Sequence, residues 1–120
     1  MPAENHALKN RLSQSSELNL TVIGRKSGRS ITNPVWFVLE GDTLYLLPVH
    51  GSGTQWYKNA LENPSIRIEA KDVNAAVHVV AITDSSQVLS VVKKFRDKYG
   101  AGDVKKYYSK LDVAVLAHMH

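Results

Sequence analysis

Short runs of alternating apolar and polar residues recur from Leu18 to Ile82, joined mostly by tight turns, and this pattern limits the chain to an antiparallel sheet. Leu18, Leu20 and Val22 alternate with Asn19 and Thr21 in a first strand, Leu18 to Ile23. Ile31 to Leu39 is a second, rich in β-branched and aromatic residues. Pro34 has no N–H to give a ladder, so that part of the strand belongs at an edge or a bulge. Trp36 and Phe37, being adjacent, must point to opposite faces, one to the core and one to a ligand site or an interface. The turn Glu40-Gly41-Asp42 leads into a third strand, Thr43 to Val49, completing a meander. Ser65 to Ala70 and Val73 to Ile82 form a further hairpin around Lys71-Asp72, and a last strand runs from Asp112 to about Ala117. Short turns of this kind leave no room for parallel βαβ winding.

Helices fill the remaining segments. The first sixteen residues read as a short polar helix or arm anchored by Leu8 and Leu12 at i, i+4. Gln55 to Glu62 is helical, with Ser52 or Thr54 as N-cap, and Asn63-Pro64 stops it. Val88, Val91, Val92, Phe95 and Tyr99 form one apolar stripe opposite Lys93, Lys94, Arg96 and Asp97. Asp84 and Gln87 supply a start signal for that helix and Gly100 a stop. Asp103 to Leu111 is a shorter helical turn. These elements predict one α+β domain spanning residues 1–120, an antiparallel sheet or small barrel with added helices.

Composition narrows the chemistry. Hydrophobic residues at 43% and charged residues at 22% describe a globular chain. The sequence has no cysteine, which excludes disulfides, thiolate metal sites and a cysteine nucleophile. No apolar run approaches the roughly 18 residues of a membrane helix, and no secretory signal is evident, so a cytoplasmic protein is expected. The formal charge of +4 suits an anionic partner. Nucleic acid is not the expected one, because the cations divide between one loop and a helix face instead of tracking a groove. No carboxylate dyad, Ser–His–Asp spacing or metal-ligand cluster stands out. His118 and His120 are spaced as a frayed terminus rather than a metal site. A bound cofactor is therefore the expected carrier of any chemistry.

Two loops are candidates to hold one. Gly24-Arg25-Lys26-Ser27-Gly28-Arg29-Ser30 packs three cations around two glycines, either a solvated hairpin tip or a clamp for phosphate or carboxylate. His50-Gly51-Ser52-Gly53-Thr54 follows the third strand and opens the Gln55 helix, whose N-terminus attracts anions. In a meander both loops leave the sheet at the same end, so both face one pocket. His50 borders this loop either as a ligand contact or acid or as an ordinary surface residue, and Trp56 and Tyr57 serve either as core anchors or as flat ligand walls.

Four motifs in order resemble the deazaflavin-dependent nitroreductase family, within the split β-barrel, flavin-reductase-like superfamily. They are Gly24-Arg25-Lys26-Ser27-Gly28, then Asn33-Pro34 with Trp36-Phe37, then Gly41-Asp42 before a strand and a glycine loop, and finally Trp56-Tyr57-x-Asn59 with Asn63-Pro64. The last is similar to the family signature W-Y-x-N-L-x-x-N-P, with Ala60 where Leu is usual. The resemblance implies a split barrel of about six strands, a homodimer, and hydride transfer from reduced coenzyme F420 to a quinone, nitroaromatic or enoate-like acceptor. It implies that Arg25, Lys26, Ser27, Gly28 and Arg29 hold the cofactor phosphate and acidic tail. Asn33, Pro34, Val49, His50, Gly51, Ser52 and Gly53 would lie along the ring, and Trp56, Tyr57 and Asn59 would complete the site. Family members carry a Lys-Gly-Gly type second loop where this chain has His50-Gly51-Ser52-Gly53, and FMN is the alternative cofactor. A cofactor carrier without catalysis would need the same site. On this reading Arg25→Ala or Lys26→Ala weakens cofactor binding with little loss of thermal stability.

Overall fold

Two long strands, each bent once, carry the sheet around on itself. The computed structural model describes the backbone of residues 3–119 and the side chains of 7–119, so His120 of the C-terminal pair lies outside the described residues. In chain order the elements are α1 (Ala3–Leu12), β1 (Leu18–Ile23), β2 (Ser30–Val35), β3 (Phe37–Glu40), β4 (Thr43–Leu46), a 3-10 turn (Gly51–Gly53), α2 (Gln55–Glu62), β5 (Ser65–Ala70), β6 (Val73–Ile82), α3 (Ser85–Tyr99), α4 (Ala101–Tyr107) and β7 (Ala114–His118). The strands form one sheet in the order β2-β1-β5-β6-β7-β4-β3, antiparallel throughout.

β6 pairs with β5 as far as His78 and with β7 from Val79 onward. At that seam the Val79 N–H donates to Pro64 O at 2.9 Å. The second bend is at Trp36, the one residue between β2, which pairs with β1, and β3, which pairs with β4. The two outer strands of the sheet order are thus consecutive in the chain. This is the α+β split β-barrel, with the predicted second strand divided at Trp36 so that seven strands stand where about six were expected. β4 is shorter than predicted. Its ladder ends at Leu46 because Pro48 has no N–H to donate and Val49 O accepts the Ser109 N–H at 2.9 Å instead.

Alternation decides what lies inside. Leu18, Leu20, Val22, Phe37, Leu44, Leu46, Ile66 and Ile68 face a first core, joined by Leu8 and Leu12 of α1. The predicted anchor of the polar arm is therefore buried. On the outer face of β3 and β7, α3 lays down Val88, Val91, Val92 and Phe95 to form a second core with Val38, Ile82, Val104 and Tyr108. β6 serves both cores: Ala75, Val77 and Val79 point inward, and Ile82, at the other parity, meets α3. The Asp84 carboxylate caps α3 by accepting the Gln87 N–H at 3.1 Å. No helix among the described residues is long and apolar enough to cross a membrane.

Candidate functional site

One face of β2 belongs to the barrel interior yet is left uncovered. Opposed residues of an antiparallel pair project to the same side, and Val22, Leu20 and Leu18 of β1 stand opposite Ile31, Asn33 and Val35. The three β1 side chains are buried in the first core, whereas Ile31 is 39% exposed, Asn33 is exposed and Val35 is half-buried. On the outer side, Thr21 and Thr32 join their hydroxyls at 2.7 Å. The inward face is a groove, and a cavity lies at each end of it.

The first cavity, about 250 Å³, is bounded by Gly24, Arg25, Lys26 and Ser27 of the basic loop, by Ile31, and by Gln55 and Asn59 of α2. The loop closes on itself, Gly24 N–H to Arg29 O at 2.8 Å and Gly28 N–H to Gly24 O at 2.9 Å, with Gly28 at φ +71°. Arg25 does not reach out. Its guanidinium donates to Asn59 Oδ1 at 2.7 Å and Gln55 Oε1 at 3.1 Å, and its backbone N–H also meets Asn59 Oδ1. Asn59 is buried, so Arg25 is the strut that fastens this loop to α2. Lys26 and Arg29 are exposed, and neither has a carboxylate partner among the described residues.

The second cavity, about 310 Å³, is lined by the aliphatic surface of Pro34, Val35, Leu47 and Val49 and by the rings of Trp36, Tyr107 and Tyr108, with the exposed Glu17 at its rim. Of the adjacent aromatic pair, Phe37 is the core residue and Trp36 the cavity wall. Trp36 stacks on Tyr99 with ring centroids 4.1 Å apart and planes 6° from parallel, and Tyr107 meets it edge-on at 5.4 Å. Tyr99 also holds the bend in the strand. Its hydroxyl accepts the Phe37 N–H at 3.1 Å, and its single proton lies within reach of Ser16 O at 2.6 Å and Phe37 O at 2.8 Å. Lys98 Nζ adds a bond to Phe37 O at 2.8 Å. Burial pushes the Tyr99 hydroxyl up to about 12 and raises Tyr108 further, so both remain neutral. Desolvation lowers Lys98.

The second glycine loop is clasped by the segment between α4 and β7. His50 Nδ1 pairs with Ser109 Oγ at 2.8 Å, and Asp112 accepts Ser52 N–H at 2.9 Å and Ser52 Oγ–H at 2.6 Å. Those bonds from Ser52 hold the Asp112 carboxyl below its usual range. A depressed folded value means that the contribution is present above the ordinary carboxyl range and is lost as pH falls through the lowered one. The clasp is expected to loosen below about pH 4, followed by the amide shift of Ser52 in an NMR titration. Of the two expected N-caps, Thr54 takes the position at the start of α2, but its hydroxyl makes no bond to the helix and accepts the His50 N–H at 2.8 Å.

The structure thus brings Arg25, Lys26, Ser27 and Asn59 to one cavity and Pro34 and Val49 to another, with Asn33 between them. Gly28 and Arg29 sit on the open side of the basic loop. His50, Gly51, Ser52 and Gly53 line neither of these two cavities. Trp56 and Tyr57 both pack into the first core, and Tyr57 borders only an apolar groove on the other flank of α2 with Leu61 and Val80. Glu17, Tyr99 and Asp112 escaped the sequence reading. Tyr99 reads in the sequence as one more stripe residue and Asp112 as the start of the last strand, and nothing in the sequence singles out Glu17.

The sequence model of a family described as an uncharacterized protein conserved in bacteria (DUF2255) matches residues 9–114. The chain belongs to this family. None of the curated proteins matches it. Among solved structures, an F420-H2-dependent reductase (FDR-A) superposes with a TM-score of 0.66 at 17% identity, covering 86% of this chain and 94% of the other. HutZ, a heme storage protein from Vibrio cholerae, gives 0.70 at 16% identity over 96% and 89%. A putative 5-nitroimidazole antibiotic resistance protein from Bacteroides thetaiotaomicron gives 0.68 at 16% identity over 95% and 78%. At such identities the DUF2255 chain shares their fold, and its chemistry has to be argued from its own residues.

Proposed function

We propose that this protein is a reductase that seats a deazaflavin, coenzyme F420, along the inward face of β2. The observation that carries the reading is the uncovered run Ile31, Asn33, Val35 between a cation-bearing cavity and an aromatic-walled one. From Ile31 to Val35 is four residues, about 13 Å at strand rise. That span suits a ligand with a phosphate at one end and a planar ring at the other. The donor set fits as well: Lys26 and Arg29 are exposed and have no carboxylate partner among the described residues, Asn33 offers an amide midway, and Pro34, Val49 and Trp36 offer apolar surface for a ring. The fold neighbours that include an F420-H2-dependent reductase and a nitroimidazole resistance protein support the same reading.

When bound, the reduced cofactor supplies a hydride to a quinone, nitroaromatic or enoate-like acceptor. The chain's task is then to position and to exclude water. Lys26 and Arg29 fix the tail, Asn33 sets the register along β2, and Trp36 with Tyr107 dries the ring end. A homodimer in solution is part of this proposal and is checked by light scattering.

Titration with the deazaflavin and with FMN, following quenching of cofactor fluorescence, tests the reading. Saturable quenching by the deazaflavin at micromolar protein is expected, and its absence sinks the proposal. Yellow protein as purified, with FMN binding the tighter, transfers the site to the flavin enzyme. Two variants separate grip from scaffold. Lys26→Ala is expected to weaken cofactor binding by about 1–3 kcal/mol with the melting temperature unchanged. Arg25→Ala strips the buried Asn59 of its partner and is expected to cost about 1–3 kcal/mol of stability as well. That departs from the expectation of little thermal effect for both, because Arg25 is engaged within the protein. Equal melting temperatures for the two variants would refute the distinction.

A further inference from the structure

We infer that Glu17 makes the aromatic-walled cavity selective for neutral or cationic aromatic acceptors and against those that carry a carboxylate or sulfonate. The inference rests on the reading of the β2 groove as the site of a hydride-transferring cofactor, and adds the class of molecule that the cofactor serves. Of the residues that line this cavity, Glu17 alone carries a carboxyl group; the rest of the wall is apolar or aromatic, and the Tyr108 hydroxyl stays neutral through burial. Glu17 is exposed and has no ion-pair partner among the described residues, so its charge is not cancelled at the rim.

Its place is also held. The preceding carbonyl, Ser16 O, lies 2.6 Å from the Tyr99 hydroxyl, the same group that fixes the strand bend behind Trp36. The backbone at Glu17 and the indole wall are thereby tied to one point. Two cations on neighbouring elements, Lys98 of α3 and Lys106 of α4, are directed elsewhere. Lys98 Nζ bonds Phe37 O and lies 3.7 Å from the Phe37 ring centroid, and Lys106 stands 5.4 Å from that of Tyr107, yet neither lines the cavity. At the far end of β2 stand the exposed cations Lys26 and Arg29, which have no carboxylate partner among the described residues. The groove is therefore polar along its length. An anionic tail is drawn to one end and repelled at the other, which orients the ligand, and an acceptor entering at the Glu17 end meets the same repulsion if it bears an anion.

The test uses the full chain and three planar probes of one shape: 1,4-naphthoquinone, its 2-sulfonate and a trimethylammonium derivative. Binding is read from quenching of Trp36, which lines the cavity, Trp56 being buried in the core. The titrations are made without cofactor and repeated with deazaflavin bound. The sulfonate is expected to bind about fivefold more weakly than the neutral quinone, as a single unit charge at a wet rim allows, and the gap should narrow at high salt. Glu17→Gln should erase the preference and Glu17→Lys reverse it, with the melting temperature unchanged in the Gln variant. The same order of probes in all three proteins overturns the inference, as does a preference that ignores salt. Glu17-dependent selectivity in a protein that does not quench the deazaflavin would overturn the cofactor reading and leave the cavity assignment standing.

Discussion

Replacing Phe95 by alanine is expected to cost about 3–5 kcal/mol of stability, the range for removing a fully buried aromatic ring. Phe95 is 0% exposed at the centre of the second core. Its ring centroid lies 5.9 Å from Tyr99 and 6.1 Å from Tyr108, so it fills the space between the residue that stacks on Trp36 and a residue that walls the cavity. The void left behind would open directly under the candidate ring end of the site. For a chain of this size the fall in melting temperature should be roughly 10–20 °C. The near-ultraviolet signal of Trp36 should change with it, because Tyr99 loses its backing. Leu89→Ala is the control on the same helix: that side chain is 63% exposed and should matter by no more than about 0.5 kcal/mol. Equal effects at the two positions would mean that α3 does not support the site from behind.

What local pattern can carry was legible, and the examples are specific. The β1 alternation, the stripe Val88, Val91, Val92, Phe95, the start of α3 at Asp84 and the Leu8, Leu12 anchor each depend on residues a few positions apart. Their structural outcome follows from periodicity and capping alone. The break at Trp36 does not. It is held by Tyr99, 62 residues away from Phe37, and nothing in the run Ile31 to Leu39 records that contact. The early end of β4 likewise depends on Ser109 claiming Val49 O.

The same divide runs through the candidate site. The basic loop is visible as composition, since cations and glycines in a turn mark it wherever they occur. Which cations face outward is not visible, because Arg25 is claimed by Asn59 and Gln55 from an element thirty and more residues on. Trp56 and Tyr57 show the limit from the other direction. Successive positions on a helix lie about 100° apart, so sequence alone leaves each of the pair as a core anchor or a ligand wall, and the curled sheet encloses both. A wrapped sheet buries a wider arc of a short helix than a flat one does.

Gly51→Ala is expected to cost about 3 kcal/mol and to unfasten the second loop. Gly51 is buried at φ +55°, a conformation that alone costs a side-chain-bearing residue about 1 kcal/mol or more. A methyl group there would drive into Asp112 Oδ1 and come within 3.0 Å of Lys110 O. Backbone cannot give way cheaply, so Asp112 must move, and both of its bonds from Ser52 go with it. The loss propagates to the site through Val49. That residue lines the aromatic-walled cavity while its carbonyl is tied to Ser109, the next anchor of the same clasp. Deazaflavin affinity should therefore fall together with stability in this variant, whereas Lys26→Ala separates the two. Gly53→Ala is the matched comparison two residues on. A methyl group at Gly53 meets nothing within 4 Å and its φ is not positive, so the substitution should be nearly neutral. Denaturant titrations of the two alanine variants give the answer. If they unfold at the same midpoint, the contact between Gly51 and Asp112 does not hold the loop, and the clasp has no part in shaping the cavity.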